Sequence, residues 1–142
     1  MQGFPGNLPP AEALCEAPLV RLWRGFLSPA ECAHLAMAVQ DILAPSQVLD
    51  PNSGVLVDHP VRRSSAAAIG PTRESLPVQA ILHRIAAATG TDWRQGESLT
   101  VLHYAPGQEY RAHVDTLPGS ANQRTMTMLL YLNEGYVGGE TS

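Results

Sequence analysis

The sequence predicts an α+β domain. Three observations predict it. A short strand-like run, Leu19 to Leu27, precedes two amphipathic helical stretches; the strand-like alternation of apolar and polar residues is concentrated after Glu97; and Pro and Gly cluster between these regions rather than inside them. At 142 residues the chain is one domain by length, and its 44% apolar content is ordinary for a globular core.

Residues 1–18 carry Pro5, Pro9, Pro10, Pro18, Gly3 and Gly6 without periodicity, and are expected to be a flexible tail or linker. Leu19 to Leu27 reads as a strand. Ser28-Pro29-Ala30-Glu31 then combines an N-cap, a Pro suited to the first helical position and the Glu of a capping box. Cys32, Leu35, Ala36, Val39, Ile42 and Leu43 recur at helical spacing, so a helix over 29–43 is predicted, stopped by Pro45. His34 is expected on its surface. Residues 45–74 predict loops with short strands such as Val55-Leu56-Val57. Within them Arg62-Arg63-Ser64-Ser65 reads as a solvated basic turn, and His59 carries no signal of its own.

A second helix is predicted over 77–89, with Pro77 at its start, Gly90 past its end and an apolar stripe of Val78, Ile81, Leu82, Ile85 and Ala86. His83 and Arg84 fall on its polar face. In the strand that follows, Thr100, Leu102 and Tyr104 share one face, while Leu99, Val101 and His103 share the other. From Thr125 to Asn133, Thr125, Thr127, Leu129 and Tyr131 share a face; Met126, Met128, Leu130 and Leu132 form the opposite, core-packing one. Helices followed by strand-rich sequence argue for an N-terminal strand and helices packed on a double-stranded β-helix (jelly-roll) core.

The chemistry-bearing pattern lies between these strands, at His113-Val114-Asp115. Residues two apart on a strand point to one face, so an imidazole and a carboxylate here can converge on one metal ion, and the two supply most of a facial triad for non-haem Fe(II). His-x-Asp is weak alone; its company is specific. Tyr104-x-x-Gly107-Gln108-x-Tyr110 leads in, Arg124-x-x-Thr127 follows, then Tyr131-Leu132-Asn133 and Gly138-Gly139-Glu140-Thr141. This ordered series resembles the prolyl 4-hydroxylase family of Fe(II)/2-oxoglutarate dioxygenases, and Gly25 to Cys32 and Arg62 to Ser64 resemble segments that precede its core.

The resemblance implies His113 and Asp115 as metal ligands and 2-oxoglutarate as cosubstrate. Tyr104 and Tyr131 would supply hydroxyls for its far carboxylate, Thr127 and Leu129 would line its pocket, and ascorbate would be required. The implied reaction couples decarboxylation of 2-oxoglutarate to succinate with hydroxylation of a C–H bond in a protein or peptide side chain, prolyl above all, or in a small molecule. The pattern departs from the family in one respect. No His follows His113 and the chain contains no Lys, so the distal His that is the family's third ligand, and the Lys or Arg that the family supplies for the far carboxylate, are not visible. The expectation is a dioxygenase domain over 19–142 lacking its last strands. Its open sheet edge invites pairing with another chain, and 2-oxoglutarate turnover by these 142 residues is expected to be poor. A catalytically inactive remnant, or an interaction module, is the alternative reading.

A net charge of −4 excludes a basic nucleic-acid footprint and a polybasic membrane patch. No apolar run is long enough to span a bilayer, and Cys15 and Cys32 suit neither a metal cluster nor a secreted disulfide framework. A cytoplasmic location is the corresponding expectation.

Overall fold

A computed structural model of the chain describes residues 7–50 and 52–141. Residues 1–6 of the expected tail and Ser142 of the expected domain lie outside the described residues. The two helices form where the capping chemistry puts them. Helix α1 spans Pro29–Ala38, and its capping box is complete: Glu31 N donates to Ser28 Oγ and Ser28 N donates to Glu31 Oε2. Helix α2 spans Leu76–Thr89 and ends at Gly90, whose φ of 70° is the left-handed conformation that glycine adopts without a Cβ penalty.

Helix α1 stops well short of the predicted residue 43. The Ala38 carbonyl accepts from the Arg73 guanidinium at 3.1 Å, and that guanidinium also forks onto both oxygens of Asp41 at 2.8 Å. The Ile42 amide meanwhile donates to Val39. A side chain 35 positions away thus caps the helix end before Pro45 can.

Among the described residues there are also seven strands and two short 3-10 helices, Pro71–Arg73 and Trp93–Gln95. β1 (Ala11–Glu16) pairs antiparallel with β2 (Leu19–Trp23), and β4 (Gln47–Leu49) with β5 (Leu56–Asp58). β3 (Ala44–Pro45), β6 (Ser65–Ala68) and β7 (Thr100–His103) form an antiparallel sheet in the order β3-β6-β7. β1 corrects the expectation of an unstructured tail through residue 18. Ala11–Glu16 lacks Pro and Gly, and pairing with β2 orders it although all six residues are exposed.

The core sits between both helices and the three-stranded sheet. Leu35 and Val39 from the α1 region, Val78 and Ile81 of α2, and Ala67 and Ile69 from the β6 region form the buried cluster; Leu82, Ile85, Leu99 and Val101 pack on it. Leu35, Val39, Ile81, Leu82 and Ile85 of the predicted stripes therefore face the core, whereas Ala36 and Ile42 of the first stripe are exposed. Two side chains assigned to polar surfaces do not stay there. His34 Nε2 hydrogen-bonds Ser75 Oγ at 2.7 Å and ties α1 to the start of α2. Arg84 forks onto Glu31 at 2.7 and 3.0 Å and donates to the Phe26 carbonyl.

The predicted strand over 125–133 is not one. Among the described residues nothing pairs with it, and a strand needs a ladder. Its alternation survives nonetheless: Met128, Leu130 and Leu132 are half-buried, with Leu130 and Leu132 against the core, while Thr127, Leu129 and Tyr131 face outward. Met126 departs from the pattern and is exposed.

Candidate metal centre

The segment that carries His113 is held by one short stretch of backbone. Arg63 N donates to Glu109 O at 2.9 Å and Arg111 N to Val61 O at 3.0 Å, so that Arg62 and Tyr110 face each other in a single antiparallel bridge. This is the pairing in which opposed side chains lie closest, and the Arg62 guanidinium sits over the Tyr110 ring, 5.6 Å from its centroid. Upstream, Gly107 takes φ 81° in a turn closed by Gln108: its N donates to Ala105 O and its side chain accepts from Ala105 N. The Gly-Gln pair of the motif is thereby explained as turn chemistry.

Beyond Tyr110 no strand continues, which corrects the expectation that His113 and Asp115 lie on one. The ladder has a single rung here. Their side chains converge all the same, with His113 Nε2 3.1 Å from Asp115 Oδ1. Three contacts set this geometry. The Tyr110 ring stacks on the imidazole at 3.6 Å and 10°. His113 Nδ1 lies 2.9 Å from Arg111 O, so it donates there, and Nε2 is the nitrogen that faces Asp115. Thr127 Oγ1 donates to Asp115 Oδ2 at 2.6 Å.

Thr127 is the principal cause holding the Asp115 carboxyl below its ordinary range, with the His113 and Arg124 charges adding to it. Arg124 is fixed nearby by a bidentate pair with Glu97, at 2.6 and 2.8 Å, and this pair likewise lowers Glu97.

The donor set fits two positions of a transition-metal centre. Two donors about 2.1 Å from such an ion and at right angles to it lie about 3.0 Å apart, close to the observed separation. An imidazole nitrogen facing a carboxylate oxygen at this distance is bridged by a proton or by a metal cation, and imidazole with carboxylate is a donor mixture that non-haem Fe(II) takes. Among the described residues no group of three His, Cys, Asp or Glu gathers to hold a metal.

Of the other residues expected at the site, Thr127 alone has a hydrogen bond to the pair among the described residues. Thr127 joins the cluster, though at the carboxylate rather than as a pocket wall. Tyr104 lies beside Ser64, Arg62 and Tyr110, and burial raises its hydroxyl pKa above the ordinary value. Tyr131 is 59% exposed and its hydroxyl meets Thr141 Oγ1; Leu129 is 54% exposed. His103 is exposed and pairs with Ser65 across the sheet. The reading of Arg62 to Ser65 as a solvated turn fails at Ser64, which is 3% exposed with its Oγ 3.2 Å from Ser46 Oγ. Sequence reasoning assigned no role to Tyr110, Glu97 or the Arg111 carbonyl. Tyr110 stood inside the motif and could have been singled out; a backbone carbonyl leaves no trace in a sequence.

These features fall in the stretch that defines the class. The family model of the 2OG-Fe(II) oxygenase superfamily matches residues 99–142. Over most of its length the chain is similar to plant enzymes of one kind within that class. Prolyl 4-hydroxylase 1 of Arabidopsis thaliana is 37% identical, covering 96% of this chain and 50% of its own length. Probable prolyl 4-hydroxylases 7 and 3 of the same plant are each 36% identical, covering 87% and 92% of this chain and 40% and 47% of their own lengths. The chain belongs to the prolyl 4-hydroxylase-type family. It spans about half the length of the curated relatives it matches.

Proposed function

We propose that the chain is part of an Fe(II)- and 2-oxoglutarate-dependent dioxygenase that hydroxylates a prolyl or other side chain of a protein or peptide. The observation that carries the reading is the convergence of His113 Nε2 and Asp115 Oδ1 at 3.1 Å, inside the stretch matched by the oxygenase family. The jelly-roll architecture belongs to the same proposal. It is supported by two helices packed on an antiparallel sheet and by an extended, sorted segment over 125–133.

When bound, Fe(II) with 2-oxoglutarate supplies the oxidising chemistry for the C–H bond, with ascorbate keeping the metal reduced. The chain's own residues hold and orient. His113 offers Nε2, because the Arg111 carbonyl takes the Nδ1 proton. Asp115 offers Oδ1, because Thr127 occupies Oδ2. The Tyr110 ring covers one face of the imidazole and limits its rotation. Tyr104 and Tyr131 remain the hydroxyls for the far carboxylate of 2-oxoglutarate, with Leu129 as an apolar wall on the Tyr131 side. The similarity to prolyl 4-hydroxylases supports a peptide substrate.

The experiment is Mn(II) binding, followed by electron paramagnetic resonance, to the chain and to its His113→Ala and Asp115→Ala variants. Each variant is expected to weaken binding at least tenfold. Unchanged affinity in both would overturn the assignment.

A further inference from the structure

We infer that His59 is a positioning residue for the His113–Asp115 pair, acting through the Arg62–Tyr110 bridge. The inference rests on the metal-centre reading given above.

His59 stands in the loop between β5 and β6. Its backbone N donates to Ser46 O at 3.0 Å, which anchors it to the segment joining β3 and β4. Its ring then turns inward on its own loop. Nδ1 lies 3.2 Å from Val61 N and 3.0 Å from Arg62 N, and both of these are N–H donors. Nδ1 must therefore carry a lone pair, and the ring proton resides on Nε2. Pro60 between them has no N–H and a fixed φ, so it adds no competing donor and narrows the loop's freedom.

This is the device by which Asx and Ser/Thr side chains close turns: an acceptor on residue i takes the amides of i+2 and i+3. Here a His performs it, and the two amides it fixes belong to the residues that receive the metal segment. Val61 O accepts from Arg111 N, and Arg62 faces Tyr110. From there the connection is direct. The Tyr110 ring stacks on His113, and Arg111 O accepts from His113 Nδ1. Two parallel routes of three contacts each thus run from the His59 lone pair to the imidazole that faces Asp115, one through Val61 and Arg111 and one through Arg62 and Tyr110. Groups around a ligand that orient it typically govern metal affinity by about tenfold or more when removed.

The geometry also selects the substitution that should rescue function. Asn Oδ1 and His Nδ1 are both bonded to Cγ, so His59→Asn puts an acceptor at the same bond distance from the backbone. His59→Gln puts it one bond further out, and His59→Ala removes it.

The test uses the full chain and three readouts. In the wild type, ring nitrogen shifts should show the His59 proton on Nε2; a proton on Nδ1 overturns the inference with no variant needed. In metal-free protein, the His113 ring protons should be shifted upfield by the stacked Tyr110. That shift should diminish in His59→Ala and His59→Gln and return in His59→Asn, with amide-exchange protection of Arg111 following the same order. Mn(II) affinity should fall about tenfold in the first two variants and recover in the third. Loss in all three, Asn included, would mean that the ring's bulk matters rather than its acceptor, and overturns the inference. So would a His113 ring shift unchanged in His59→Ala. If the wild type shows the ring shift but no Mn(II) affinity, the metal-centre reading fails while the positioning contact stands; the two failures are thereby distinguished.

Discussion

Removing the charge of Glu31 while keeping its shape tests how the helices are joined. Glu31 accepts from Ser28 N, closing the capping box, and from both Arg84 Nη atoms, closing the gap between α1 and α2. Glu31→Gln keeps an oxygen for the cap, since Gln serves at that position, so the loss reports on the ion pair. The two side chains are 18% and 21% exposed. Arg84 is the largest cause holding the Glu31 carboxyl down to about 2 from 4.5, and the Arg84 value is raised in turn. Taken whole, that displacement would set an upper limit of about 3 kcal/mol. Charge-assisted hydrogen bonds at a partly solvated site bring the expected coupling to roughly 1.5 to 3 kcal/mol.

A carboxyl that binds its proton less readily folded than unfolded stabilises the fold fully above its ordinary value. It loses that contribution as pH falls from about 4.5 toward 2. Urea unfolding of the wild type, Glu31→Gln, Arg84→Ala and the double variant, at neutral pH and across this acid range, measures both quantities. A coupling energy under about 0.5 kcal/mol, with an acid slope unchanged in Glu31→Gln, would refute the reasoning.

Two further predictions concern the core and the carboxylate. Ile81→Ala removes a fully buried side chain and should cost about 2 to 5 kcal/mol, as should Leu35→Ala across the same cluster; denaturant midpoints unchanged in both would contradict the packing. Thr127→Val deletes the hydroxyl that donates to Asp115. In the metal-free protein an NMR titration should then place the Asp115 carboxyl higher than in the wild type, because the largest cause lowering it is gone. A titration that stays in place would assign that lowering to Arg124 and His113 instead.

What the sequence made legible was local. Ser28 to Glu31 announced a helix start, Gly90 a helix end, and the His113-x-Asp115 spacing a convergent pair, because each depends on residues within a turn or two of one another. What it hid depends on distant partners. The Arg73 fork that ends α1 at Ala38 comes from 35 positions further along the chain. The Arg84 pairing with Glu31 took a side chain off a nominally polar face. The β1 strand exists through its register with β2, not through its own alternation. At the site, His113 and Asp115 converge without the strand that the spacing argument assumed. A carbonyl, a ring stack and a hydroxyl do the positioning, and only the last two belong to side chains that a reader of the motif could have weighed.

The segment over 125–133 has its side chains sorted before its backbone is paired. Leu130 and Leu132 are already committed to the core, and Thr127 already to Asp115. Any strand that comes to lie beside it meets a template whose register is decided. A slip of one residue would turn Leu130 and Leu132 outward and pull Thr127 away from the carboxylate. Order along this edge is thus written by packing first and hydrogen bonding second. Its main-chain amides should exchange with solvent quickly even while the leucines beneath them hardly move. Fidelity of alignment and speed of exchange, which in a finished sheet oppose each other, here coexist in the same nine residues.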